Sequence, residues 1–74
     1  MHVIYVEPLA GGWALRQPAV DNPQVFASGA KAEEAARNLG IRLAEAGDDA
    51  EIRVYLRDGV LAGRFVCPAA ERTY

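Results

Sequence analysis

Residues 52 to 57 alternate apolar side chains with arginine and tyrosine, and residues 60 to 66, beyond Asp58-Gly59, are read with the same period of two. Strict period-two alternation marks a strand with one face buried. Asp-Gly between two such runs signals a two-residue hairpin, because both turn positions favour positive φ. That hairpin pairs Leu56 with Leu61, Val54 with Gly63 and Ile52 with Phe65 on one face. It pairs Arg57 with Val60, Tyr55 with Ala62 and Arg53 with Arg64 on the other. The first set needs a core. The second is basic and aromatic and asks for a different explanation.

The rest of the 74 residues supplies that core. His2 to Glu7 alternates, with Ile4 and Val6 on one side and Val3, Tyr5 and Glu7 on the other. Residues 8 to 12 read as a turn from their Pro and Gly content, and Trp13 to Gln17 resumes a strand. Pro18 to Pro23 is a loop, and residues 24 to 28 are a candidate third strand with Phe26 inward. From Gly29 to Ala46, residues Ala32, Ala35, Ala36, Leu39, Leu43 and Ala46 fall in one helical stripe. Ser28 sits where an N-cap belongs, and Gly47 suits the left-handed position beyond the helix. Glu33 and Glu34 read as first-turn residues facing the helix dipole. Asp48 and Asp49 read as a solvated loop.

The expected fold is α+β: one helix on one face of a four- or five-stranded, mainly antiparallel sheet, in the order β-β-(β)-α-β-β. A chain this short is one domain, with an ordered core over about residues 2–67 and a mobile tail over 68–74. Ile4, Val6, Trp13, Leu15, Ile52, Val54, Leu56, Leu61 and Phe65 are expected under the helix. Val3, Ala14 and Val66 are expected on the other face, among the candidate binding residues Tyr5, Arg16, Arg53, Tyr55, Arg57, Val60, Ala62 and Arg64.

Chemistry-bearing motifs are scarce. His2 is the one histidine, Cys67 the one cysteine and Ser28 the one serine, so no hydrolytic triad, paired metal ligands or phosphate loop can be assembled from them. Cys67 reads as a small half-buried apolar residue. The expectation is a non-catalytic binding or oligomerisation module without metal or cofactor, whose partner is a second copy (a homodimer) or another protein. Tyrosine and arginine are enriched at protein interfaces. They also suit single-stranded nucleic acid, but a net charge of −2 counts against that partner. No leader and no membrane span is read in the sequence, which points to the cytoplasm.

Val6-Glu7-Pro8, Gly12-Trp13-Ala14-Leu15, Lys31 to Ala35 and Arg57-Asp58-Gly59-Val60 together resemble a family of small uncharacterised bacterial domains. That family shows a V-x-P, G-W-x-V hairpin, a T-x-x-E-A helix start and a closing D-G-x-I hairpin. The resemblance spans most of the chain and implies a fold, not an activity. Gly11 to Pro18 and Gly29 to Ala35 are also similar to the N-terminal module of HicB-like antitoxins, which reads G-G-Y-x-V-x-x-P and then G-x-T-x-x-E-A. That likeness implies a partial RNase-H-like sheet that binds a protein partner and does no chemistry. In both patterns the helix-start threonine is Lys31 here.

Overall fold

The structure is a computed structural model and describes residues 1–70. The chain forms β1 (His2–Leu9), β2 (Gly12–Arg16), β3 (Gln24–Phe26), α1 (Gly29–Glu45), β4 (Ala50–Tyr55) and β5 (Leu61–Cys67). The five strands make one sheet in the order β3-β2-β1-β4-β5. Only β1 and β4 run parallel; the other neighbours are antiparallel. Parallel neighbours require a long crossover. Here β2, β3 and α1 supply it, the helix carrying the chain from the β3 edge across the sheet to β4.

The β1–β4 register decides which side chains are buried. Ile4 stands beside Ile52 and Val6 beside Val54, facing α1, while Val3 stands beside Glu51 and Tyr5 beside Arg53 on the opposite face. Ile4, Val6, Leu15, Ile52 and Val54 pack with Ala32 and Ala36, flanked by half-buried Trp13, Phe26, Leu39, Leu43 and Cys67. The parity expected from the sequence therefore holds at the centre of the sheet, with Val54 under the helix and Tyr55 away from it.

Small residues let α1 lie close to the strands. Ala32, Ala36 and Gly40 are buried at successive intervals of four. A Cβ at Gly40 would come within 3.0 Å of Cys67 Sγ and 3.3 Å of Ile52 Cδ1. The Ser28 side chain accepts from the Lys31 N–H at 3.2 Å. At the other end Gly47 adopts φ +95°. Its N–H donates to Ala44 O, and the Asp48 N–H donates to Leu43 O, closing the last turn. The first turn contains no acidic residue. Glu33 instead lies one turn in and pairs with Arg37 at 3.9 Å, so its expected dipole role does not apply.

Four local expectations need correction. First, β1 continues through Pro8 to Leu9, so the first hairpin turns only at Ala10-Gly11, with Gly11 at φ +81°. Second, the closing hairpin turns through three residues, Arg57-Asp58-Gly59. The Gly59 N–H donates to Leu56 O and the Leu56 N–H to Val60 O. Gly59 alone has positive φ, at +85°, as expected of a type I turn followed by a left-handed glycine. This slips the register by one, so Tyr55 faces Leu61; an irregularity at Val54/Tyr55 restores Val54–Gly63, Arg53–Arg64 and Ile52–Phe65. Third, two residues of the expected tail are hydrogen-bonded to the rest of the fold: the Ala69 N–H donates to Asp49 Oδ1 at 2.6 Å and the Ala70 N–H to Ala44 O at 2.9 Å. The remainder of the expected tail, 71–74, lies outside the described residues. Fourth, the Asp48–Asp49 loop is bonded rather than merely solvated. Besides that Ala69 contact, Asp48 Oδ2 lies 3.6 Å from His2 Nε2 and the His2 N–H donates to Asp49 O.

Gly40→Leu replaces the glycine with a stronger helix former, yet it forces a side chain into the Cys67–Ile52 contact. The expected outcome is a loss of roughly 1–3 kcal/mol, the usual cost of overpacking, read as a lower urea midpoint. A midpoint at or above wild type would show that the helix does not sit this close.

Candidate functional site

The face of the sheet away from α1 is built in rows, because residues paired across neighbouring strands project to the same side. One row runs Arg16, Tyr5, Arg53, Arg64 across β2, β1, β4 and β5. The row beside it holds Val3, Glu51 and Val66. The Tyr5 and Tyr55 rings stack at 6.4 Å and 23°. The Arg16 guanidinium lies 5.4 Å from the Tyr5 ring centre and is held by Glu7, with Arg16 Nη2 donating to Glu7 Oε1 at 2.6 Å.

Arg53 and Arg64 are directly opposite each other, an arrangement that like charges disfavour. Glu51 resolves it. Its side chain is only 1% exposed, and its two carboxylate oxygens divide between the arginines. Arg53 Nε donates to Oε2, and Arg64 Nε donates to Oε1 at 2.5 Å. A buried carboxylate is costly unless paired and hydrogen-bonded; this one has both. The hydrogen bond from Arg64, then that from Arg53, holds the Glu51 carboxyl below the usual glutamate range, outweighing desolvation. The same hydrogen bond raises the Arg53 pKa, so the trio stays charged and carries a net +1.

Of the residues expected on this surface, Tyr5, Arg16, Arg53, Tyr55 and Arg64 are brought together. Arg57 lies in the turn and donates to Leu9 O at 3.1 Å, bridging the tips of the two hairpins. Ala62 is not on this face. The irregularity in β5 turns it toward a helix-side cleft of about 330 Å³, which it lines with Trp13, Leu56 and Phe65. Val60 stands across from Leu56, which lines the same cleft, so it too leaves the expected surface. Leu61, expected in the core, pairs instead with Tyr55. Leu56 and Phe65 keep the expected side but are only partly covered, because α1 does not extend over the end of this hairpin. The Arg37 guanidinium covers Phe65 from 4.6 Å.

Sequence reasoning missed Glu51, the centre of the site, by starting the strand at Ile52. The signal was present: the expected register set Arg53 against Arg64, and a carboxylate two residues before Arg53 falls on their face. Glu7 was legible in the same way, on the Tyr5 side of β1 and opposite the strand carrying Arg16. Among the described residues, no group of three or more His, Cys, Asp or Glu side chains is placed to hold a metal ion, and no helix is long and apolar enough to cross a membrane.

A carboxyl with a lower pKa in the folded than in the unfolded chain stabilises the fold fully above its unfolded value. That contribution is lost as pH falls through the folded value. Glu51 therefore supports the fold at neutral pH and gives way on acidification below the ordinary glutamate range. The melting temperature of wild type is expected to fall more steeply there than that of Glu51→Gln, whose neutral amide cannot titrate. Parallel curves would remove Glu51 from the acid response.

The chain matches no protein-family model, and comparison with curated proteins and with solved structures returns no similar chain.

Proposed function

We propose that this chain is a non-catalytic binding module whose working surface is the open face of the sheet, and that the face receives another protein chain. The observation that carries the reading is the double use of Glu51. It holds two arginines over the sheet beside a stacked tyrosine pair, on the face away from the helix. Ordering long side chains is a large cost of association. Here Glu51 and Glu7 meet part of it before any partner arrives. Tyrosine and arginine are also, with tryptophan, enriched among the side chains that dominate interface energies. This is the kind of surface that the antitoxin-like motifs would imply, with a protein as partner and no reaction performed.

The stacked tyrosines favour a second reading, a single-stranded nucleic acid laid across the face. The ion pairs weigh against it. Arg16, Arg53 and Arg64 are paired with two carboxylates, Glu7 and Glu51, that offset two of their three charges, which lowers the positive charge this face offers a phosphate backbone.

Two measurements test these readings. If two open faces pack together, light scattering shows a dimer that Tyr55→Glu and Arg53→Glu each weaken by at least about tenfold, as expected at interface hot spots. A dimer indifferent to both, or a monomeric wild type, removes that form of the proposal. Titration with single-stranded RNA is expected to show no binding at low salt. Affinity that declines as salt rises would overturn the protein-binding reading in favour of nucleic acid.

A further inference from the structure

The two edges of the sheet are treated differently. At one edge, β3 is three residues long and follows directly on Pro23; short strands and prolines are devices that keep an edge from pairing. At the other, β5 runs seven residues from Leu61 to Cys67 with no lysine or proline inside it. Among the described residues no strand lies beside its outer backbone groups. Apolar side chains cluster on this strand, with Leu61 45%, Phe65 37% and Val66 53% exposed. The charge that would ordinarily guard it, Arg64, is bound to Glu51 of the neighbouring strand.

We propose that a second copy of this chain pairs along β5, antiparallel and about a two-fold axis through Phe65, joining the two sheets into one of ten strands. The sequence of β5 is self-complementary in that register. Such an axis stands perpendicular to the sheet, so facing residues must share parity if their side chains are to share a face. Centring on Phe65 sets Phe65 against its copy and Gly63 against Cys67 on the helix side. On the open side it sets Arg64 against Val66. Centring on Arg64 would oppose two guanidiniums, and centring on Val66 would run the ladder into Pro68. The pairing covers Phe65 and Val66 and ends before the irregularity at Ala62. It also brings two open faces side by side on one surface. It does not rest on the proposed use of those faces.

The test is sedimentation equilibrium together with nuclear Overhauser measurements on a mixture of labelled and unlabelled chains. The expected wild type is a dimer with intermolecular contacts between the Arg64 and Val66 backbones. Phe65→Lys sets two ammonium groups across the axis. Val66→Lys sets one against Arg64 of the second copy, while remaining compatible with its own neighbour Glu51. Each is expected to raise the dissociation constant at least about tenfold with circular dichroism unchanged, whereas Tyr55→Glu leaves it unaltered. A monomer at millimolar concentration overturns the proposal. So does a dimer that Tyr55→Glu dissociates and Phe65→Lys does not, which would place the contact on the open faces. Intermolecular contacts confined to any strand other than β5 overturn it as well.

Discussion

A single helix has to shield a five-stranded sheet, and the limits of that cover organise the rest of the molecule. Seventeen residues make a rod of about 25 Å, long enough to cross the strands but only about 10 Å wide. It lies over β1, β2 and β4, where a run of Ala32, Ala36 and Gly40 lets it approach closely. Two regions stay beyond it: the whole opposite face, and the helix-side end of the β4–β5 hairpin where Leu56 and Phe65 are only partly covered. The open face and the exposed apolar end of the β4–β5 hairpin both follow from that geometry.

On the opposite face the sheet does not simply meet water. Ala14 is buried between Glu7 and Val25 in the strand ladders, and Glu51 is buried among its own neighbours. The Arg53–Glu51–Arg64 trio is weak grounds for claiming net stability, because removing ions from water offsets much of their attraction. Its clearer consequence is orientation. Two side chains that would otherwise sample many rotamers are held over the sheet, and the mutual repulsion of two opposed arginines becomes a shared attraction to one carboxylate.

The hairpin that is most conspicuous in the sequence is where reading and structure part most instructively. Asp58-Gly59 marks the turn correctly, but Gly59 alone takes the left-handed conformation, and Arg57 joins the loop. The resulting slip would have sent every later residue of β5 to the wrong face. The irregularity beside Val54 absorbs it, so Phe65 and Arg64 return to the expected partners while Val60, Leu61 and Ala62 do not. The cost of the wrong parity rises with depth in the sheet. Near Ile52 it would expose core residues, whereas at the hairpin tip there is no core to lose. That difference explains why the alternation was reliable for Ile52, Arg53, Val54 and Tyr55 and unreliable three residues from the turn.

Local chemistry in the chain alone determined the helix, its Ser28 and Gly47 ends, the two hairpins and the parity of β1 and β4, since caps, turns and side-chain alternation act over a few residues. Tertiary structure decided what no short-range signal encodes. It set β4 parallel to β1 at the centre of the sheet, left β5 as the long open edge, and gathered Tyr5, Arg16, Arg53, Tyr55 and Arg64 around Glu51. Those outcomes depend on which strands become neighbours, and strand order is fixed by where one helix can cross and what it can cover.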